Sequence, residues 1–306
     1  MSNYNTICHS RGRKRESSDF IRRWTPAFAG VTVLILTWTC IAGAEVPTTQ
    51  GPELPLWEAG IVGGGGYLPD YPAAGQNHLK GIGAPYLVYR GKIMRADREG
   101  ARALLLRARE AEVDLGVAAS FGSRSKDNRA REGMPDLDYL VELGPRLSLT
   151  LSTLGGKGKL RFFFPVRAVF STDLGDFRHR GYTSTPALHI RRGLGPNPFV
   201  FAIAQLTANF GNRQICAYFY DVAPAFVRTD RSLFDARGGY IGSDLFAGVL
   251  LPAGKRLRIF TGAQTLVHSG AANEASPLFK NRLNYALATA LVWTFYRSPR
   301  PAEFLE

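Results

Sequence analysis

The stretch LDYLVELGPRLSLTL, from Leu137 to Leu151, alternates apolar and mostly polar positions along its whole length. Its odd-numbered positions hold apolar residues and one proline. Its even-numbered positions hold Asp138, Leu140, Glu142, Gly144, Arg146, Ser148 and Thr150. Such a period of two puts the two sets of side chains on opposite faces of a β-strand. A transmembrane strand needs about 9–11 residues and a soluble one usually five or six, so the length favours a strand that crosses a bilayer.

Two further segments repeat the pattern. In LRFFFPVRAVF (160–170), Arg161 and Arg167 lie opposite an apolar face, and in YALATALVWTFY (285–296) large apolar residues lie opposite alanines. Aromatic residues at the strand ends are typical of the girdles that mark a bilayer interface.

Turn signals separate these strands. Gly155-Gly156-Lys157-Gly158 and Pro252-Ala253-Gly254-Lys255 predict tight turns, whereas longer polar stretches fall at 122–136, 171–181, 223–238 and 268–283. Short turns at one end and longer loops at the other are typical of outer-membrane barrels. We therefore predict an all-β fold: a transmembrane, antiparallel, up-and-down β-barrel of about 12 strands. The segment at 100–116 contains many helix formers, but we interpret it as two strands that turn near Glu110.

The first 44 residues have the order of a secretory signal peptide: a basic segment, an apolar run and a small-residue site ending Ala42-Gly43-Ala44. We predict that residues 1–44 are removed by cleavage between Ala44 and Glu45, and that residues 45–306 form the barrel. A membrane-anchor helix is the main alternative, although the run is short for a bilayer span of roughly 20 residues. A lipoprotein site at Cys40 is less favoured.

Net charge indicates which partners the protein could bind, and cysteine content indicates whether it contains a disulfide. Removing six basic and two acidic residues with the first 44 lowers the net charge from +13 to +9. An exported basic protein is expected to meet anionic lipid or polymer, and we predict no nucleic-acid partner. Cys216 would be the only cysteine left, so an internal disulfide is excluded and a closed barrel is a natural source of stability.

The run GGGGYLPDYPAAG, Gly63 to Gly75, resembles a phosphate-binding loop at first sight. A Walker A loop needs a following Lys-Ser or Lys-Thr, and a dinucleotide fingerprint needs a helix after its glycines. Pro69 and Pro72 argue against a helix here. We interpret the run as part of a first strand, Trp57 to Tyr67, with Tyr67 near the membrane interface and the prolines ending the strand.

No motif for catalysis or metal binding was found in the sequence, so we predict a protein that is not an enzyme and needs no cofactor. The candidate site residues are charged side chains expected to face the polar lumen: Asp138, Glu142, Arg146, Arg161 and Arg167. We expect Asp138 and Glu142 to form salt bridges with Arg146 across the lumen rather than to act in acid–base catalysis.

Seven stretches together resemble the MipA/OmpV family of outer-membrane proteins, also called MltA-interacting proteins. They are LPDYPAAG (68–75), APYLVYRG (84–91), NRAREGMPDLDYLVELGP (128–145), YFYDVAP (218–224), FDARGGYIG (234–242), SPLF (276–279) and VWTF (292–295). The resemblance implies a β-barrel in the outer membrane of a Gram-negative bacterium. It also implies a scaffold role that links a murein lytic transglycosylase to a murein synthase in peptidoglycan turnover. It supplies no catalytic residues.

Three functions remain open at this point: a scaffold in murein remodelling, a channel for small anionic solutes, and a barrel enzyme such as a lipase or protease. A role as surface antigen or adhesin is a further family expectation. The scaffold rests on the resemblance, and the channel on basic side chains at inward positions. The enzyme would need a Ser–His or Asp–His pair within hydrogen-bond reach.

Overall fold

The computed structural model describes residues 55–90, 94–97, 100–108, 110–155, 158–173, 175–195 and 200–300. The predicted signal peptide and its cleavage site at Ala44 and Glu45 lie outside these residues. The described residues form β1 (Trp57–Pro69), β2 (Asn77–Arg90), β3 (Met94–Asp97), β4 (Gly100–Arg107), β5 (Ala111–Ser120), β6 (Tyr139–Leu154), β7 (Gly158–Thr172), β8 (Phe177–Ser184), β9 (Ala187–Gly193), β10 (Phe201–Gly211), α1 (Arg213–Tyr220), β11 (Gly239–Pro252), β12 (Leu257–Val267) and β13 (Leu283–Arg297). Within this part of the chain, no helix has the length and apolar content to cross a bilayer.

Antiparallel pairing passes around the whole set of strands and returns to its start. Each strand pairs with its neighbours in the chain, except that β8 does not pair with β9, and β13 pairs with β1, where Tyr67 lies opposite Leu287 and Gly63 opposite Leu291. The pairing of β10 with β11 completes the ring. The fold is therefore a ring of antiparallel strands, as the alternation predicted, and strand pairing satisfies backbone groups that an open edge would expose to lipid. Between β2 and β3 the described pairing is confined to Tyr89 and Arg90 of β2.

The thirteen strand segments occupy twelve strand positions around the barrel. Both β8 and β9 run antiparallel to β7 and to β10, and two residues, Thr185 and Pro186, separate them. They are one strand interrupted at Pro186, which has no N–H to donate to a ladder. The predicted count of about 12 is confirmed, and an even number is the rule for single-chain bacterial barrels.

Outward-facing side chains form an apolar band with aromatic margins. Trp57 and Tyr67 are ten residues apart on β1, and both are exposed on the outer face. Ten residues in a strand tilted by about 40° cover about 25 Å, the height of the apolar band in such barrels. Tyr285 and Phe295 repeat this spacing on the neighbouring β13. The predicted alternation in β6 is also present, with Leu143 exposed and Arg146 buried.

The connections differ in length between the two ends of the barrel. At the loop end lie residues 70–76, 121–138, 173, 175–176, 212–238 and 268–282. At the turn end, the described connecting residues are 108, 110, 155, 194–195, 200 and 253–256, together with both ends of the described chain. The turn near Glu110 is confirmed by the pairing of β4 with β5.

Two local predictions were wrong. Most of 171–181 is strand rather than loop, because β7 extends to Thr172 and β8 begins at Phe177. The loop at 212–238 contains the helix α1, which we did not predict. Its eight residues are too few for a clear helical period in the sequence.

The glycine run lies inside β1, and the strand ends at Pro69, as predicted. Gly64 faces inward at the β1–β13 seam. A Cβ atom there would lie 2.6 Å from the carbonyl oxygen of Thr289, closer than side chains approach. Glycine therefore lets the first and last strands approach closely enough to pair.

Candidate functional site: a loop cap above a charged lumen

Four of the long connections pack into one structure at the loop end, here called the loop cap: residues 70–76, 121–138, 212–238 and 268–282. They share a buried apolar core with Ile241 near the start of β11. The core is made of Tyr71, Ala74, Leu137, Cys216, Tyr220, Val222, Ala236, Ile241 and Leu278. Leu137, which we placed on the apolar face of a strand, belongs to this core instead. The loops are therefore organised by a core of their own.

The helix α1 lies at the mouth of the barrel. Ile215 packs against Leu140 and Val169, two inward-facing residues of β6 and β7. Asn212 caps the helix, since its side-chain oxygen accepts a hydrogen bond from the backbone N–H of Ile215 at 3.2 Å. Burial raises the pKa of the Cys216 thiol, which keeps it protonated and packs it as a small apolar group.

Asp70 is the polar centre of the cap. Its carboxylate is buried and accepts hydrogen bonds from Nδ1 of His78 at 2.8 Å and from Nδ2 of Asn128 at 2.7 Å. Nζ of Lys80 lies 3.7 Å from the same carboxylate and donates to the carbonyl oxygen of Gly122 at 3.1 Å. One carboxylate thus joins the first loop to β2 and to the loop at 121–138.

Ala73 forms a second junction. It has a positive φ of 61° and is fully buried, a conformation that costs free energy and persists only where surrounding contacts enforce it. Its N–H donates to Nε2 of His268 at 3.1 Å, and its carbonyl oxygen accepts from the backbone of Lys280 at 2.9 Å. Nδ1 of His268 donates to the carbonyl oxygen of Ile241 at 3.0 Å.

These two bonds require a neutral imidazole that carries its proton on Nδ1. A second proton on Nε2 would point at the Ala73 N–H. Burial lowers the pKa of His268, while the Ile241 carbonyl and the Asp244 carboxylate act in the opposite direction. The cap therefore holds an uncharged imidazole at neutral pH.

Two buried arginines bind backbone carbonyls across the cap. Nη1 of Arg131 donates to Phe219 O at 3.0 Å, and its guanidinium lies 5.7 Å from the ring centre of Tyr71. Nη1 of Arg231 donates to Ala130 O at 2.9 Å. Burial lowers the pKa of both arginines. Burial likewise raises the pKa of the Tyr71 hydroxyl to about 12, and this hydroxyl donates to Leu278 O at 2.8 Å.

Below the cap, the predicted charged residues pair across strands. Arg146 contacts Asp114 on β5 at 2.9 Å, and both side chains are buried. Glu142 lies 3.7 Å from Arg167 on β7. Residues four apart on one strand are separated by about 13 Å, whereas cross-strand neighbours lie about 5 Å apart. These ion pairs therefore join adjacent strands, whereas we expected Asp138 and Glu142 to pair with Arg146 across the lumen.

The other two predicted residues lie toward opposite ends of the barrel. Asp138 is in the cap rather than in a strand, 3.8 Å from Arg180 of β8. Arg161 is on β7 near the turn end, opposite His189 of β9, and is partly buried. The five charges therefore do not form one cluster. They are spread from the cap to the turn end.

The opposite wall of the lumen is apolar. Side chains from β1 and β10–β13 form a buried cluster there: Val62, Phe201, Ile203, Phe246, Leu250, Phe260, Ala290 and Val292. Near the turn end, the buried carboxylate of Glu58 lies 3.5 Å from Arg258. The inside of this barrel therefore combines paired charges on the β5–β7 wall with apolar packing on the other, where the Glu58–Arg258 pair lies near the turn end.

The Asp70–His78 contact is the kind of pair that the enzyme hypothesis required. Nothing else about Asp70 favours catalysis, since its carboxylate is only 1% exposed and already holds an imidazole, an amide and an ammonium group. A general base must instead reach a proton on a substrate. We assign the pair a structural role in the cap.

The cap also gathers most of the stretches that suggested a family. Five of the seven lie wholly or partly in it, those at 68–75, 128–145, 218–224, 234–242 and 276–279. Sequence reasoning found these motifs but did not assign roles to Asp70, Arg131, Arg231 or His268. Their proximity comes from loops separated by up to about 200 residues.

Comparisons with known proteins give one family match and several similar solved structures. A family model described as MltA-interacting protein MipA matches residues 61–295. Comparison with curated proteins gives no significant match. Among solved structures, an outer membrane channel from Pseudomonas putida F1 is similar at 12% identity, covering 82% of this chain and 100% of that one, with a TM-score of 0.46. The outer membrane phospholipase A from Escherichia coli is similar at 11% identity, covering 86% and 98%, with a TM-score of 0.30.

Proposed function

Because the chain belongs to the MltA-interacting protein MipA family, we propose that it is a scaffold for the machinery that cleaves and synthesises murein. The protein is a β-barrel of the Gram-negative outer membrane, as the family and the closed antiparallel fold indicate. The family's name implies a murein lytic transglycosylase as partner, and a murein synthase would be the second enzyme of the assembly. The match over residues 61–295 is the observation that carries this proposal.

The distribution of charge supports contact at the turn end. Short turns of outer-membrane barrels face the periplasm, where murein lies, and longer loops face outward. Lys255, Arg256 and Arg300 are exposed at the turn end, together with Arg192 and Arg297. A basic surface of this kind raises the local concentration of anionic partners, including polymers that carry carboxylates.

The interior gives the anion channel less support than the sequence suggested. Arg146 and Arg167 are accompanied by Asp114 and Glu142, which offset the positive field that anion selectivity requires. The cap places α1 in the barrel mouth. We therefore favour binding of partners at the exposed turn end over transport through the lumen. We also propose that the protein is not an enzyme.

Site-specific photocrosslinking in living cells tests the scaffold. A photoreactive amino acid at Lys255 should capture a murein hydrolase or synthase, whereas the same probe at Arg213, which is exposed on the loop cap, should not. If Lys255, Arg256 and Arg300 each fail to capture either enzyme in cells that express both, the scaffold proposal is wrong.

A further inference from the structure

Three exposed cations lie together at the turn end of the barrel, where β12, β13 and β1 are adjacent. The carbonyl oxygen of Arg256, just before β12, accepts a hydrogen bond from the N–H of Thr294 on β13 at 2.8 Å. The carbonyl oxygen of Arg300, just after β13, accepts one from the N–H of Leu56, just before β1, at 2.8 Å. Lys255 precedes Arg256 in the chain, and all three basic side chains are exposed. Three adjacent strands span about 10 Å, so these cations share one surface, here called the seam cluster.

The positive charge of the seam cluster is not balanced by nearby carboxylates. The segments that form this margin of the barrel contain one carboxylate among them, and they are residues 55–64, 253–261 and 289–300. That carboxylate belongs to Glu58, whose side chain is 1% exposed and lies 3.5 Å from Arg258 and 3.7 Å from Arg297. It is therefore buried among arginines of its own, and the seam cluster leaves a local excess of positive charge at the surface.

Aromatic side chains place the seam cluster at the membrane interface. Trp293 and Phe295 on β13 are about half exposed, and Trp57 is exposed on β1. Aromatic girdles mark the level at which the hydrocarbon of a bilayer meets its headgroups. Arg256 lies beside Thr294, between the two aromatic residues of β13. The cluster is therefore at headgroup depth in the leaflet next to the turn end, which faces the periplasm.

Depth and charge together indicate the chemistry of the occupant. The groups that lie at this depth in a phospholipid leaflet include the headgroup phosphates. A guanidinium binds phosphate through two parallel hydrogen bonds, and an ammonium group binds it as a point charge. Basic clusters at a membrane surface attract lipids with a net negative headgroup more strongly than zwitterionic ones.

We propose that the seam cluster binds the headgroup of an anionic phospholipid in the periplasmic leaflet. The phosphate would accept hydrogen bonds from Arg256 and Arg300, and Lys255 would add positive charge beside it. The acyl chains of the same lipid would pack on the outward faces of Trp293 and Phe295. This proposal goes beyond the scaffold role, which concerns protein partners and is tested by capture of an enzyme.

Native mass spectrometry tests the proposal on the barrel after reconstitution in vesicles of phosphatidylethanolamine and phosphatidylglycerol in equal amounts and release into mild detergent. The unmodified protein should retain phosphatidylglycerol in preference. The triple change Lys255→Gln, Arg256→Gln and Arg300→Gln should lower the ratio of bound phosphatidylglycerol to phosphatidylethanolamine by about tenfold, a change of about 1.4 kcal/mol.

The matched control removes the same number of charges from the loop cap. Arg124, Lys126 and Arg129 are all exposed on the loop at 121–138, and their triple change to glutamine should leave the lipid ratio unchanged. Heat-modifiable migration on gels shows that all three proteins are folded.

Three results would overturn the proposal. One is equal lipid preference in the three proteins, and another is no preference in the unmodified barrel. The third is binding to purified murein that the seam changes abolish while lipid preference stays the same, because the cluster would then bind carboxylates of the polymer. Enzyme capture in cells tests the scaffold separately, since it does not depend on the lipid that the purified barrel retains.

Discussion

Replacing Gly64 by valine should open the seam at which the barrel closes. A Cβ at this position would lie 2.6 Å from Thr289 O, 2.8 Å from the Cβ of Ala290 and 2.9 Å from its Cα. Two of these atoms are backbone of β13, so rotamer changes cannot relieve the contact. Ordinary contact distances require β13 to move away by about 1 Å, which stretches the hydrogen bonds on either side beyond their normal range.

The cost follows from these displacements. Overpacking of a tight site costs about 1–3 kcal/mol, and each weakened backbone hydrogen bond adds about 0.5–1.5 kcal/mol. Gly64→Val should therefore destabilise the barrel by about 3 kcal/mol or more. With a urea dependence of about 3 kcal/mol per molar, the unfolding midpoint would fall by about 1 M.

Gly83→Val is the matched control. Gly83 lies on the neighbouring β2 and faces lipid, with 3.9 Å of room for a Cβ atom, and valine is favoured in strands. Its stability should equal or exceed that of the unmodified barrel. The assays are urea unfolding in detergent micelles and the fraction of heat-modifiable protein in the outer membrane. If the two variants assemble equally well, close approach at the seam is not what requires glycine at Gly64.

Three further changes test the cap and the lumen. Asp70→Asn removes the charge that Lys80 faces in the cap, so proteolysis of the loops should accelerate while the barrel stays heat-modifiable; unchanged cleavage would contradict the role of this carboxylate. Because burial lowers the pKa of His268 in the folded cap, its contribution to stability is complete above the unfolded pKa of about 6.5 and is lost as the pH falls below it. Protease sensitivity of the cap should therefore rise in acid, and His268→Gln should abolish this pH dependence. Arg146→Ala removes one member of the buried Arg146–Asp114 ion pair and should cost about 3–5 kcal/mol in urea unfolding; the double change with Asp114→Asn should recover part of this loss, and an additive result would argue against the pair.

The barrel was predictable because its signal is local. The alternation along β6 and β13 shows in the sequence which residues share a face, since a period of two maps directly onto outside and inside. The same reasoning gave the turn near Glu110 and the end of β1 at Pro69. It failed at Leu137, where the alternation continues by chance into a loop that folds away from the sheet.

The cap was not predictable in the same way. Its central contacts, such as Ala73 with His268, join residues nearly 200 positions apart, and no periodic pattern encodes which loops meet. The motifs around Asp70 and Leu278 marked these loops as unusual, but a motif alone does not state its partner. The cross-strand pairing of Arg146 with Asp114 had the same difficulty, because it depends on the register between β5 and β6.

The sequence by itself determined that this chain forms a closed, lipid-facing barrel, because bilayer burial imposes a simple alternation on every strand. Only the tertiary structure decided that the long loops fold into a cap and that the charges of Arg146 and Arg167 are paired across neighbouring strands. These features depend on side chains brought together by register and loop packing, which are properties of the whole ring rather than of any one strand.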